Sequence, residues 1–583
     1  MASWSGNIET LMVCAIDFGT AYSGYAYSFL DDKEKVFVND EWASNQTKTP
    51  TSILFLADKS FKSFGRNAEN DVFDQEYESC YFFKQFKMHL YDQRIERNLE
   101  IQAHNGKTMK AIDVFSASIK YLKDHFLRHI NDRYQGCNIN IQNVRWVLTI
   151  PAIWSNSAKQ FMREAAAKAG IPSRSLLIGL EPECASMHCQ SEEVSIIPKE
   201  MSSQIGKKYL VLDNGGGTID ATLHQIIDHK TLKSLHRPSG GSWGGTAVNK
   251  LFEKYLEDIF TTAVVNKIRR EYSEHWLKIM RDFEDIKRNL NVDKEYDTIF
   301  LTDPFVQSYF EIVGISIAED DRVRERGRGA FIRRSSLKIP VHAIIEFIND
   351  VAEKVKEYVK ELMVQSDCSD IDFIIMVGGF SNSGILRQAI KDLQITDVYA
   401  PKDAETAVVK GAVLFGWNPE CIQTRRSAKT YGICTSSVFQ ENVHPPKFKY
   451  TDSEGKVWCD EVFCPIVTIN QELHYGEKIN LNYLPVTKQQ TSASLRFYAS
   501  DEKKVDYCTD KGCVQLGCLK VLLPKYDGVT NRSIICKYDF SDTEINVTAQ
   551  EKTSGKYFTT TLDFLTTNSK LDDVTKGAHK QRR

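Results

Sequence analysis

Apolar positions recur along this chain with two different periods, and the change of period divides it. Residues 11–30 read as an apolar strand (LMVCAID), a glycine turn (FGTAYSG) and a second strand (YAYSF), which predicts a hairpin. Residues 110–130 carry apolar residues at helical spacing. The stretch NVRWVLTIPAIWSNSAKQFMREAAAKAGI, 143–171, predicts a strand ending at Pro151, a polar turn through Ser155, Asn156 and Ser157, and an alanine-rich helix closed by Gly170. EPECASMHCQ, 181–190, opens another helix. A second strand–turn–strand spans 207–227. Residues 247–290 and 341–363 have helical patterns, and in the latter Ile344, Ile345, Ile348, Val351, Val355 and Val359 form one apolar stripe that predicts core packing. Residues 371–390 read strand, glycine turn, helix, and 404–417 predicts a further helix.

After about residue 418 the helical stripes stop. Short alternating runs follow (VWCDEVFCPIVTI, KINLNYL, SASLRFYA, TEINVTA, KYFTTTLDFL), separated by Gly, Asp, Asn and Lys clusters. That texture predicts an antiparallel sandwich over 431–565. NPECIQTRRSAKT, 418–430, contains the boundary, with 419–430 as a linker. Residues 1–11 and 566–583 are expected to be tails, the second one disordered.

Composition adds exclusions. Of 583 residues, 42% are hydrophobic and 26% charged, as in a soluble globular protein. The net charge of −3 predicts no strong attraction to nucleic acid or anionic membrane. The N-terminal run LMVCAI is too short for a signal peptide, and no run approaches the ~18 apolar residues of a membrane span. A cytoplasmic or nuclear monomer is expected. The chain has 14 cysteines, too sparse for a disulfide scaffold. Cys508-x4-Cys513-x4-Cys518 lacks the paired knuckles and the histidine partner of a zinc motif. DRVRERGRGAFIRRSS, 321–336, has six arginines interleaved with Asp, Glu and Gly and no aromatic series, so a solvated loop is expected there rather than an RNA site.

The candidate chemistry sits in the two glycine turns. Asp17-Phe18-Gly19-Thr20 and Asp213-Asn214-Gly215-Gly216-Gly217-Thr218 each put a carboxylate at a strand end and glycine in the turn that follows. Glycine bends through positive φ and lets a bulky anion approach the backbone N–H groups. An aspartate so close to a phosphate would repel it unless a cation lay between. Asp17, Asp213 and Asp220 therefore read as outer ligands of hydrated Mg²⁺. No G-x4-G-K-[ST] precedes a helix, and GGGT lies in a strand hairpin, so neither the P-loop nor the dinucleotide fingerprint applies.

AIDFGTAYSGYAYSF, IPAIWSNSAKQFMREAAAKAGI, EPECAS, LVLDNGGGTIDATL, GGSWGGTAVNKLF and IIMVGGFSNS follow in an order that resembles the heat-shock protein 70 ATPases of the actin and hexokinase superfamily. The resemblance spans residues 12–418. FKMHLY at 86–91 and KGAVLFGWNP at 410–419 look most like the divergent heat shock 70 kDa protein 12 branch. It implies an α/β, two-lobed, actin-like (ribonuclease H-like) ATPase domain holding ATP or ADP with Mg²⁺. A β-sandwich without a helical lid would follow, and DTEINVTAQEKTSGK resembles the family's substrate-binding domain.

By motif, the resemblance implies that Gly19, Thr20, Ala21 and Tyr22 line the first phosphate turn, and Gly215, Gly216, Gly217 and Thr218 the second. Asp17, Asp213 and Asp220 would surround the metal and the attacking water. Glu181 would be the cleft carboxylate. Lys87 would face the γ-phosphate, with Lys84 as its substitute. Gly244 and Gly245 would lie near the phosphates. Glu284, Lys287 and Arg288 would clamp the adenosine, with Gly378, Gly379 and Phe380 behind the base.

Three departures stand out. Ala21 replaces a hydroxyl residue. Phe380-Ser381-Asn382 replaces a serine and arginine pair. The linker Cys421-Ile422-Gln423-Thr424-Arg425-Arg426-Ser427 is basic and polar instead of acidic and aliphatic, with no sign of a docking element. The functions that fit are an ATP-binding, slowly hydrolysing chaperone-family protein, or a non-hydrolysing adaptor that meets client or signalling proteins through the sandwich. A small-molecule kinase would need an acceptor-binding base and substrate loops that are not seen.

Overall fold

The computed structural model describes residues 10–42, 46–72, 79–91, 95–134, 139–191, 204–228, 231–365, 368, 370–487, 490–525, 527–528, 532–540, 545–561 and 564–565. The expected tail at 566–583, most of that at 1–11 and the start of DTEINVTAQ lie outside the described residues.

Both predicted hairpins form. β1 (Met12–Phe18) and β2 (Tyr22–Phe29) pair antiparallel, with Asp17 opposite Gly24. On its other edge β1 pairs parallel with Val144–Ile150, which pairs parallel with Leu176–Leu180. β3 (Lys208–Asn214) and β4 (Ile219–Asp228) repeat the arrangement, with Asp213 opposite Asp220. β3 pairs parallel with Phe373–Val377, and that strand with Asp397–Tyr399. Each sheet is therefore a hairpin whose first strand also leads a parallel set. Parallel neighbours need long crossovers, and helices supply them. The scheme buries β1 along its whole length, and its first five residues, MVCAI, are correspondingly apolar.

Four helices position the site: α1 (Glu181–Cys189), α2 (Gly245–Phe260), α3 (Ser273–Arg288) and α4 (Ala407–Trp417). α1 and α4 pack between the two sheets, in a core with Val13, Val147, Val211 and Ile375. They touch backbone to backbone, since a Cβ on Gly411 would lie 1.6 Å from the Cys184 carbonyl oxygen. α1 is buried at every position but Met187, so it shows no amphipathic stripe.

The expected linker is a strand. β6 (Ile422–Arg426) pairs parallel with β5 (Thr231–Ser234) and antiparallel with β7 (Glu472–His474), extending the second sheet. Its arginines fix it there. Arg425 grips Glu183 of α1 through two nitrogens, at 3.1 and 2.9 Å. Arg426 pairs with Glu472 at 3.0 Å. Burial pushes the Glu183 carboxyl up, but the Arg425 guanidinium outweighs it and holds the group below its ordinary value. The basic residues that read as a free linker are the docking contacts.

Beyond β6 the chain is β-rich, as the alternation predicts. Five strands order as Lys449–Thr451, Val457–Val467, Thr430–Val438, Ser492–Ser500, Val514–Leu522. Four more order as Lys478–Tyr483, Ile534–Asp539, Asn546–Glu551, Tyr557–Thr561. Ile433, Phe497, Val521, Cys536, Tyr538 and Val547 share the core between them. The arginine-rich 321–336 stretch is not a loop. It makes the helix Asp321–Arg326 and a strand pair, Phe331–Arg333 with Ser336–Pro340. Among the described residues no helix is long and apolar enough to cross a membrane.

Removing one partner of a buried ion pair leaves the other charge uncompensated, at about 3 kcal/mol or more. Arg425→Ala should therefore loosen β6 within the sheet. Hydrogen exchange of the 422–426 amides should speed up at least tenfold, while the amides of β1 keep their wild-type rates.

Candidate functional site

A cavity of about 560 Å³ lies between the two glycine turns. In the 19–22 turn, a Cβ on Gly19 would lie 2.2 Å from the Tyr22 carbonyl oxygen, so the reversal requires glycine. In the 215–218 turn, the Gly215 N–H donates to the Thr218 carbonyl at 2.9 Å. The start of α2 sits directly on this turn. The N–H groups of Gly244, Gly245 and Thr246 donate to the carbonyls of Gly217, Gly215 and Gly216 at 3.2, 3.1 and 2.8 Å. The three glycine carbonyls are thus satisfied from behind, while no acceptor among the described residues takes the N–H of Gly216 or Gly217.

The two turns meet face to face. A Cβ on Gly216 would stand 2.9 Å from the Ala21 Cβ, and one on Gly217 2.6 Å from Thr20 Oγ1. Naked backbone is what lets them approach. Gly244 does not line the cavity. Its Cβ would strike the Gly216 carbonyl oxygen at 2.6 Å, so it serves helix-to-turn packing.

Carboxylates gather below the turns. Asp17 Oδ1 accepts from Thr149 Oγ1 at 3.0 Å, and its Oδ2 pairs with Lys48 Nζ at 2.5 Å. Glu181 pairs with Lys87 Nζ at 2.7 Å, and that ammonium lies 5.1 Å from the Trp154 ring centre. Lys87, 1% exposed, lines the cavity. Lys84 turns away to Glu69 at 2.8 Å. Burial raises Asp213 well above the usual carboxylate range, and the charges of Glu181, Asp220 and Asp17 push it further. Burial also lifts Glu181, to about 7, against the opposing pull of Lys87. Asp220 is set back from the cavity lining. Its Oδ1 accepts the Ile153 N–H at 2.9 Å, which anchors the 151–154 turn carrying Pro151 and Trp154.

Glu284, Lys287 and Arg288 end α3 on the cavity wall. Lys287 Nζ donates to the Gly245 carbonyl, Asn249 Oδ1 and Glu284 Oε2 at 2.9, 2.8 and 2.7 Å. Arg288 stacks its guanidinium over the Tyr22 ring at 4.7 Å and donates to Glu405 at 3.2 Å. The face expected to meet a base meets Tyr22 instead. Gly378, at φ 84°, leaves room for Asp213, because a Cβ there would lie 2.3 Å from Oδ1. Gly379 opens on the cavity with nothing within 4 Å of its Cβ position, and Phe380 stands beside Gly245. Ser381 is buried between strands, accepting from Asn214 Nδ2 at 2.7 Å and donating to the Val377 carbonyl at 2.6 Å.

Sequence reasoning missed Lys48, Glu405 and Ser383, which line the cavity, while Asn382, named there as a departure from the family, lines it too. Lys48 stands in NQTKTPTS, which carries no motif, and Glu405 read only as the opening of a helix.

No protein-family model matches the chain. It is 32% identical over 624 residues to heat shock 70 kDa protein 12A of Mus musculus, which covers 95% of this chain and 92% of that protein. It is 30% identical to heat shock 70 kDa protein 12B of Homo sapiens, over 95% of this chain and 91% of that one. The chain belongs to the heat shock protein 70 superfamily. A more distant similarity, 22% identity over 70% of this chain and 59% of the other, links it to the mitochondrial iron-sulfur cluster biogenesis chaperone of Saccharomyces cerevisiae. Its α/β sheets resemble the actin-like ATPase fold of that superfamily, and the β-rich region follows them.

The raised Glu181 pKa fixes the sign of a pH effect. A carboxyl lifted from 4.5 to about 7 stabilises the fold while protonated and loses that contribution as pH climbs through the folded value. Without nucleotide, thermal melts from pH 5 to 8 should show Glu181→Gln gaining on wild type as pH rises. A constant difference in melting temperature across that range would refute the assignment.

Proposed function

We propose that the chain is a nucleotide-binding, chaperone-type protein that takes Mg-ATP between the two glycine turns and hydrolyses it slowly. The observation that carries this reading is the meeting of the 19–22 and 215–218 turns above Asp17, Asp213 and the Lys87–Glu181 pair. The Gly216 and Gly217 N–H groups, which lack protein acceptors among the described residues, suit phosphate oxygens, and the Thr20 and Thr218 hydroxyls add donors. Carboxylate oxygens of Asp17 and Asp213 suit the waters of a magnesium ion, which supplies the positive charge that lets a triphosphate approach them. Asp220 acts through the 151–154 turn rather than on the metal.

Catalysis on this reading is positioning plus electrostatics. Lys87 faces the transferred phosphoryl group. Asp213 and Glu181 orient the attacking water, and burial lifts both carboxyls, Glu181 to about 7, which strengthens them as proton acceptors. Glu284 and Lys287 face the ribose, and Arg288 flanks the base. Residues 12–418 form the nucleotide-binding unit and 431–565 the client-facing one, with β6 between them. The relatives' names as heat shock and chaperone proteins support the same reading.

Calorimetry with ATP and ADP, with and without Mg²⁺, tests the cleft directly. Asp213→Asn should keep ATP affinity within about threefold yet lose roughly 100-fold or more in turnover, the range of a lost general base. Equal hydrolysis by variant and wild type would overturn the assigned role. Tight ATP binding without phosphate release above a buffer blank would point to the adaptor instead.

A further inference from the structure

The sandwich carries a second cluster of reactive side chains that the nucleotide reading does not use. The 501–513 stretch joins strands Ser492–Ser500 and Val514–Leu522 and folds back over strand Val457–Val467. The Phe463 N–H donates to the Asp506 carbonyl at 3.0 Å, and the Cys508 N–H to the Glu461 carbonyl at 2.8 Å. Beneath it, Cys434, Phe463, Tyr498 and Cys508 form a small apolar cluster with Cys513 packed against it. The sulfurs of Cys434 and Cys508 and a carboxylate oxygen of Glu461 all lie within 4.8 Å of one another.

Arg496 decides what this cluster suits. Its guanidinium stands 2.9 Å from Cys434 Sγ and 2.9 Å from Glu461 Oε1. Cys434 Sγ also donates to Glu461 Oε2 at 3.8 Å, so the sulfur has a proton acceptor and a fixed cation beside it. Glu461 holds that cation in place from a bulge, at φ 60°. The same guanidinium contacts two of the three groups that a metal would need, so it competes with a divalent ion. Cys434 is 9% exposed and Cys508 4%, while Glu461 and Arg496 are half-buried at the rim, so small oxidants reach the sulfurs more readily than proteins do.

We propose that Cys434 and Cys508 are a redox-active dithiol whose disulfide staples the 501–513 loop to strand Thr430–Val438. The co-reactant is a hydroperoxide. Cys434 gives its proton to the Glu461 carboxylate as its sulfur attacks the O–O bond of hydrogen peroxide, forming an S–O bond and releasing hydroxide, which takes up that proton. The Cys508 thiol loses its proton and attacks the sulfur of the Cys434 sulfenic acid. The S–O bond breaks, the S–S bond forms, and the departing hydroxide leaves as water. Two thiols and one peroxide give one disulfide and two waters, the sulfurs losing the two electrons that reduce the peroxide.

The test uses the full-length protein, reduced and then exposed to hydrogen peroxide, alkylated and mapped by mass spectrometry without reductant. Expected are peptides linked through Cys434 and Cys508 and the loss of two of the 14 thiols, reversed by dithiothreitol. Arg496→Gln should slow linkage about tenfold at neutral pH. Cys508→Ser should leave a sulfenic acid on Cys434 that dimedone traps, which serves even where the arginine variant fails to fold. Three results would overturn the proposal: both cysteines fully alkylated after peroxide, linkage through Cys513 instead, or stoichiometric zinc released from the untreated protein on thiol modification.

Discussion

Four carboxylates, Asp17, Glu181, Asp213 and Asp220, are buried around the meeting point of two sheets, and the cleft is organised around the repulsion among them. Three of the four have a specific answer to that repulsion. Asp17 has Lys48, Glu181 has Lys87, and Asp220 has the Ile153 N–H. Asp213 has no ion-pair partner among the described residues, and it is the one whose pKa the other three raise. Gly378 withholds its side chain from the same carboxylate. The most frustrated carboxyl thus sits where the backbone leaves most room, near the turn that carries the open Gly216 and Gly217 N–H groups. A site with one under-compensated carboxylate and two open donors suits a paired cation and anion better than either alone.

The same frustration reaches the β-rich region through one helical turn. Glu181 faces the cavity and Glu183 holds Arg425 of β6, two residues further along α1. Side chains two apart on a helix point to nearly opposite sides. The first turn of α1 therefore lies between the cleft and the strand that leads into the sandwich. α1 is buried throughout and touches α4 at backbone contact through Gly411, so it has no soft side to absorb a displacement. Glu181 and Arg425 are therefore joined through one buried helical turn.

Much of this was legible in the chain because it is local. Asp17 and Asp213 announce themselves by standing at strand ends before glycine, and the helix Val341–Val364 by its stripe. What was not legible depends on distant partners. Lys87 is separated from Lys84 only by where Glu181 and Glu69 fall in space. Lys48 matters because β1 places Asp17 beside it. β6 read as a polar linker because Glu183 and Glu472, which neutralise its arginines, lie far off in sequence. Asp220 has the right residue type and neighbourhood, yet its partner is a backbone amide that no motif marks. The cysteine spacing in 508–518 marked no site, because Cys508 meets Cys434, which lies far off in sequence.

Arg288 shows how such distant contacts join the walls of the cleft. Its guanidinium spans from α3 to Tyr22 of the first turn and to Glu405 ahead of α4, tying three parts of the wall together. A base that stacked on this guanidinium would have to displace or share it with Tyr22. A partly exposed cation–π contact is worth about 0.5–1 kcal/mol, and a solvated ion pair contributes no more than that. Micromolar nucleotide binding amounts to about 8 kcal/mol. A ligand held at that affinity would outweigh the tie across the mouth. The Arg288 cluster is therefore a weak tie between α3, the first turn and the approach to α4.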